Sequence, residues 1–216
     1  MLEKPIDLSP LTSLVIENTA VFATLVQSFY EYTEETEMIK IFDNSYKQLK
    51  KDELELITDV LGYDINSAAV LRHIYKDLEG QIAQDPVLRT KIEDAIHNVA
   101  ALINKELLNF SLDLESDNML LASILKAMNV RIEVDSHTIF DRVLDIVEVL
   151  KYLPKKRVIA FVNLGTFLSH AQMKTLAEHA ALTNIHVLLL DNKPFEPAEN
   201  QHILDLDYVL FSNCMV

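Results

Sequence analysis

The sequence predicts an α/β protein in which a mostly parallel sheet is interrupted by an inserted α-helical segment. Three observations predict it. First, Arg157–Val162 (RVIAFV) and Ile185–Leu190 (IHVLLL) are nearly all apolar, as in strands covered on both faces. A helical pattern with short links joins them, a βαβ unit that implies parallel pairing and a right-handed crossover. Second, two β-rich ends flank a long stretch of almost pure helical period. Third, the chain has only three glycines and six prolines, which suits helices and parallel strands better than a hairpin-rich all-β fold. The expected division is a discontinuous α/β head over residues 1–62 and 152–216, with the helical part at 63–151 between them.

The elements follow in order. After an extended lead-in with turns at Pro5 and Pro10, Leu14–Ile16 is a short strand. Asn18 or Thr19 caps a helix whose Val21, Phe22, Leu25, Val26 and Phe29 share one face. The acidic run Glu31–Glu37 reads as a solvated loop, Met38–Phe42 as a second strand, and Tyr46–Lys51 as a basic loop. Leu54, Leu56, Ile57 and Val60 give a third strand that turns through Gly62-Tyr63-Asp64. Asn66 or Ser67 caps the next helix, and Asp85-Pro86 restarts it, since proline at the first helical position gives up no hydrogen bond. Ser111–Asn118 breaks the period, and Asp117 is expected to cap a short helix bearing Leu120, Leu121, Ile124, Leu125 and Met128. Val130, Ile132 and Val134 alternate with Arg131, Glu133 and Asp135 as a half-exposed strand. Ser136 or Thr138 starts a helix through Leu150, Ser169 one through Leu182, and after a loop Tyr208–Phe211 offers the last strand.

Composition bounds the function. The 216 residues are 50% apolar, enough for a real core. Net charge is −14, so a lone copy repels nucleic acid unless its few cations gather on one face; divalent cations are favoured instead. The single cysteine, Cys214, excludes an internal disulfide and suggests a reducing compartment. The start MLEKPIDLSP has no signal-peptide pattern, and no apolar run reaches the roughly 20 residues that span a bilayer, so a cytoplasmic protein with no membrane partner is expected.

Enzyme motifs are absent. Neither G-x-x-x-x-G-K-[ST] nor G-x-G-x-x-G occurs, because Gly62, Gly80 and Gly165 lie too far apart. Gly165 follows a buried strand, where a phosphate loop belongs, but without the lysine. The seven histidines form no H-E-x-x-H, no G-x-S-x-G elbow exists, and Cys214 has no identifiable base. Asp113, Glu115 and Asp117, with Asn118, are the metal candidates, because hard cations such as Ca²⁺ take several oxygen ligands from one loop. The spacing departs from an EF-hand, with Asn118 at the glycine position and Ile124 at the terminal glutamate position, and reads also as a solvated interhelical turn. For nucleic acid the candidates are Lys50, Lys51, Lys76, Lys126, Arg131, Lys155, Lys156 and Arg157. Lys155-Lys156-Arg157 is the densest run, though such runs also serve as solvated leads into a strand.

Thr58–Ala69 (TDVLGYDINSAA), Ile74–Gln81 (IYKDLEGQ), His137–Arg157 (HTIFDRVLDIVEVLKYLPKKR), Ala160–Asn163 (AFVN) and Ile203–Leu210 (ILDLDYVL) together resemble the short-form Csn family, the accessory adaptation proteins of type II-A CRISPR systems. The resemblance covers nearly the whole chain and lies in the collinear set, not in any one motif. It implies a non-enzymatic protein with a degenerate P-loop-like head and an inserted α-helical leg. It implies a homotetrameric ring whose basic hole takes the ends of linear double-stranded DNA without sequence preference. It further implies that Ca²⁺ orders the leg, where Asp113, Glu115 and Asp117 fall at the family's acidic positions and Asn118 stands where the family often has another acid. The implied role is spacer acquisition in antiviral defence, beside the adaptation integrase and the guide-dependent nuclease. The rival readings are a metal-dependent nuclease using Asp113, Glu115 and Asp117, a divergent nucleotide hydrolase, and a structural adaptor that touches only proteins.

Overall fold

The computed structural model describes residues 5–43, 45–116, 120–153, 155–195 and 200–214, with residues 213 and 214 described by their backbone. The chain divides into two compact units, residues 1–65 with 134–216, and residues 66–133.

The first unit is built on a six-stranded sheet in the order β2-β3-β4-β1-β5-β6. The strands are β1 (Leu11–Ile16), β2 (Leu54–Ile57), β3 (Val158–Val162), β4 (His186–Asp191), β5 (Asn200–Leu204) and β6 (Leu210–Cys214). All neighbours pair parallel except β5 and β6, which form an antiparallel hairpin. Alternation along the strands sorts the core into two layers. Leu14, Ile16, Leu54, Val158, Ala160, Leu188 and Leu190 face one side, with Phe22 and Phe29 of α1 (Thr19–Tyr30) and with Tyr32, Ile39 and Leu49. Val15, Ile159, Phe161, Val187 and Leu189 alternate with them and are fully buried on the other. There α6 (His170–Thr183) packs on β1 and β4, and α5 (Ile139–Lys151) packs on α6.

The second unit holds α2 (Ala68–Ala83), α3 (Pro86–Leu107) and α4 (Leu121–Ala127), with α2 against both others. Helix starts fall where the caps predict them. Asn18, Ser67, Asp85, Thr138 and Ser169 each accept from first-turn amides, and Pro86 opens α3. The short α4 departs from this, with Leu120 at its cap position and no capping side chain. Asp117, expected there, lies outside the described residues.

Four expectations are corrected. Met38–Phe42 is not a strand: it forms a single bridge, Phe42 with Gln48, inside a loop whose Tyr32, Ile39 and Leu49 plug the core beside α1. Val130–Val134 is not a strand either. Its backbone bonds to side chains: Asn66 accepts from the Ile132 N–H (2.8 Å) and donates to its carbonyl (3.1 Å), and Tyr75 donates to the Val130 carbonyl (2.8 Å). The second boundary lies at 133/134, not 151/152, because α5 buries Val143, Ile146, Val147 and Leu150 in the first unit's core. Lastly, β5 was expected to be loop, and β6 starts at Leu210, later than Tyr208; Tyr208 sits in the hairpin turn with a φ of 63°.

The carboxyl end of the sheet carries a buried acid. Asp191 closes β4, is 1% exposed, and accepts the Gly165 N–H on both oxygens (3.2 and 3.3 Å). The Phe195 ring packs against Gly165 so closely that it would have to shift to admit a Cβ. Burial pushes the Asp191 carboxyl up to about 6 from an ordinary 3.8, against the downward pull of the Gly165 and Thr166 amides. A folded-state value above the unfolded one means the folded state holds its proton longer. That contribution is complete below about pH 4 and is lost as pH rises through about 6, a swing on the order of 3 kcal/mol. Asp191→Asn keeps an acceptor and cannot ionise. Its stability, read by urea denaturation, should match the parent's near pH 4 and exceed it at pH 7.5; parallel stability–pH curves for the two proteins would refute the assignment.

Candidate nucleic-acid interface

The register of β2 on β3 pairs Leu54 with Val158, and the Arg157 N–H bonds the Glu53 carbonyl at 2.9 Å. The lead into β2, Lys50-Lys51-Asp52-Glu53, therefore lies beside the lead into β3, Lys155-Lys156-Arg157. A 3-10 turn at Lys51–Glu53 tightens the first lead, and Glu53 accepts the Lys50 backbone N–H (2.8 Å).

Side chains then pair across the gap. Lys155 Nζ meets Asp52 at 2.7 Å, and this hydrogen bond holds the Asp52 carboxyl below its usual range and lifts the lysine. Lys156 Nζ binds Glu55 (2.7 Å) and the Leu54 carbonyl (2.7 Å), with its side chain 15% exposed. Arg157 reaches Glu53 at 3.1 Å and Asp43 at 3.6 Å. The Asp43 carboxyl is lowered chiefly by the Lys47 N–H, with Arg157 adding to it. The densest cation run is thus also the most neutralised. Lys50 and Lys51 are exposed, and among the described residues neither has an ion pair. They border an open cleft of about 630 Å³ between the end of α1 and β2, floored by Phe29, Tyr32 and Leu54.

The other predicted cations, Lys76 on α2, Lys126 in the last turn of α4 and Arg131 just beyond it, are exposed in the second unit. Asp113 and Glu115 are exposed in the coil after α3, which Ser116 ties back by a 2.7 Å bond to Asn104. Asp117 and Asn118 lie outside the described residues. Among the described residues, no three His, Cys, Asp or Glu side chains are grouped to hold a metal.

The place where a parallel sheet binds phosphate is closed by the chain itself. The β1–α1 link is only Glu17-Asn18, and Asn18 Oδ1 takes the Ala20 and Val21 N–H groups (3.0 and 3.2 Å) that would otherwise cradle an anion. Asn192 donates to the Ile16 carbonyl at 2.9 Å, and Gly165 gives its N–H to a carboxylate. Sequence reading placed the phosphate-loop position after β3 at Gly165 and did not find Asp191. The apolar run of β4 ending in Asp191 was the available signal. Among the described residues no helix is long and apolar enough to cross a membrane.

A family model described as CRISPR-associated protein (Cas_Csn2) matches residues 31–208. An Enterococcus faecalis protein named CRISPR-associated protein Csn2 is 39% identical over 210 residues, 97% of this chain and 95% of its own. A protein of the same name from Streptococcus agalactiae is 38% identical over 216 residues, 100% of this chain and 97% of its own. The crystal structure of Stu0660 of Streptococcus thermophilus superposes with a TM-score of 0.54 at 14% identity, covering 93% of this chain and 70% of that one. At that identity the likeness is one of fold.

Lys155 and Lys156 should behave differently when truncated. Lys156→Met leaves the half-buried Glu55 carboxylate without a counter-charge, with the Tyr63 hydroxyl (3.3 Å) still donating to it, and should destabilise by about 1–3 kcal/mol at pH 7. Lys155→Ala, on an exposed pair, should leave the urea midpoint unchanged. Equal effects would show that Lys156 is not a structural charge.

Proposed function

The chain belongs to the Csn2 family of CRISPR-associated proteins, and on that premise we propose that it is a non-catalytic protein of type II-A spacer acquisition. In this reading it binds the ends of linear double-stranded DNA, without regard to sequence, in the basic hole of a homotetrameric ring. It works in the cytoplasm beside the adaptation integrase and the guide-dependent nuclease.

The observation that carries the reading is the open pair Lys50–Lys51, set on an edge where the neighbouring cations are already matched to carboxylates. A chain with 19 cationic and 33 acidic side chains grips a polyanion only if several copies turn their unmatched cations toward one axis. Two further features support the assembly and the lack of catalysis. On α3 no residue is buried, and Val99, Leu102 and Ile103 leave an exposed apolar stripe that a second copy would cover. The self-capped β1–α1 link fits a degenerate phosphate-loop domain. Lys76, Lys126 and Arg131 would add phosphate contacts from the second unit.

Calcium fits the donor chemistry of Asp113 and Glu115, which are hard carboxylate oxygens. Asp117 and the Asn118 carbonyl would join them, with backbone and water oxygens completing the six to eight that the ion takes. Its contribution is charge neutralisation and ordering of the coil between α3 and α4.

Fluorescence anisotropy with linear and covalently closed circular duplexes tests the reading. Linear DNA should bind with affinity that falls steeply with salt, and the closed circle weakly. Lys50→Glu with Lys51→Glu should weaken linear binding about tenfold or more, and Lys155→Glu should do less. Equal affinity for both topologies would sink the threading reading. Light scattering should show the assembly loosening when a chelator removes Ca²⁺, and a mass unchanged by both chelator and added Ca²⁺ would remove calcium from the account.

A further inference from the structure

The cleft beside Lys50 and Lys51 has more than cations. Its wall is Tyr30, in the last turn of α1 and 74% exposed. Its floor is Phe29 (6% exposed) and Tyr32 (1% exposed), and the Tyr32 hydroxyl is fixed to the Leu49 carbonyl at 2.8 Å. Lys156 lies at the base, but Glu55 and a backbone carbonyl hold its ammonium, so the cations turned to solvent are Lys50 and Lys51, beside an exposed Asp52 whose carboxylate is held by Lys155. Glu34 at the rim is an exposed acceptor. At about 630 Å³ the cleft is in the range of roughly 300–1,000 Å³ that holds a small molecule, and it is far too small for a duplex.

We infer that this cleft takes one unpaired terminal nucleotide of the bound DNA, with its base stacked on Tyr30 and its phosphate against Lys50 and Lys51. The inference rests on the DNA-end reading above and adds a preference among ends. An aromatic face binds any base, because every base has a π-face, and two lysines on one side supply the phosphate contact. A paired terminal base cannot reach Tyr30 without leaving its stack. A blunt end must therefore fray first, and an overhang need not.

The test is anisotropy on the full-length protein with three linear duplexes. One is blunt, one carries a single unpaired deoxyadenosine (placed 3′ in one version and 5′ in another), and one carries an abasic residue in its place. The overhang should bind about tenfold tighter than the blunt end in at least one polarity, and the abasic duplex should match the blunt one within the extra phosphate's share. Tyr30→Ala should bring the overhang-to-blunt ratio to one, and Tyr30→Phe should restore it. Equal binding of overhang and blunt ends, or a preference that survives Tyr30→Ala or the abasic substitution, overturns the inference alone. Binding of none of the duplexes overturns the DNA-end reading and this inference with it.

Discussion

The parallel seam between β2 and β3 is the constraint on which the rest depends. It joins residues on either side of the whole helical insert, Leu54 to Val158, and so closes the loop that carries the insert. Closing so long a loop costs entropy, but slowly with length, and the buried contacts of the seam offset it. Leu54 and Val158 are 6% and 3% exposed, and Ile159, Ala160 and Phe161 are sealed completely. The same register decides the electrostatics of the edge. It sets Asp52, Glu53 and Glu55 beside Lys155, Lys156 and Arg157, and three cation–carboxylate contacts follow from that alignment. A shift of one residue would turn the side chains to the opposite face and unmake all three.

The parts of the fold legible in the sequence were those with a local physical cause. Caps at Asn18, Ser67, Asp85, Thr138 and Ser169 are read from a side chain and the amides beside it. Strands β3 and β4 are legible because both of their faces are buried and their sequences are apolar throughout. The misread elements needed long-range information. Val130–Val134 alternates as a strand should, yet what it meets is Asn66, more than sixty residues earlier in the chain. β5 contains Asn200, Gln201 and His202, and their polarity hid a strand whose Gln201 and His202 are buried.

The candidate site was legible in type and not in distribution. Sequence shows that Lys155, Lys156 and Arg157 are cationic; it cannot show that Asp52, Glu55 and Glu53 wait beside them, because that depends on register. A run of charges therefore reads as a binding surface when much of it is internal balance. The less conspicuous pair, Lys50–Lys51, is left facing solvent. In an acidic protein, which cations stay unmatched matters more than how many there are, because a matched lysine must lose its carboxylate before it can meet a phosphate.

The clasp between Asn66 and Ile132 has one more consequence. A single amide side chain takes both backbone groups of a residue 66 positions away, as a neighbouring strand would. Everything between the two is thereby pinned at its neck. Doubling the length of such a loop adds only about 0.6 kcal/mol of closure entropy. Descendants of this chain can therefore lengthen, shorten or replace the helices between them while the sheet is left undisturbed, and size differences among kin should accumulate there first.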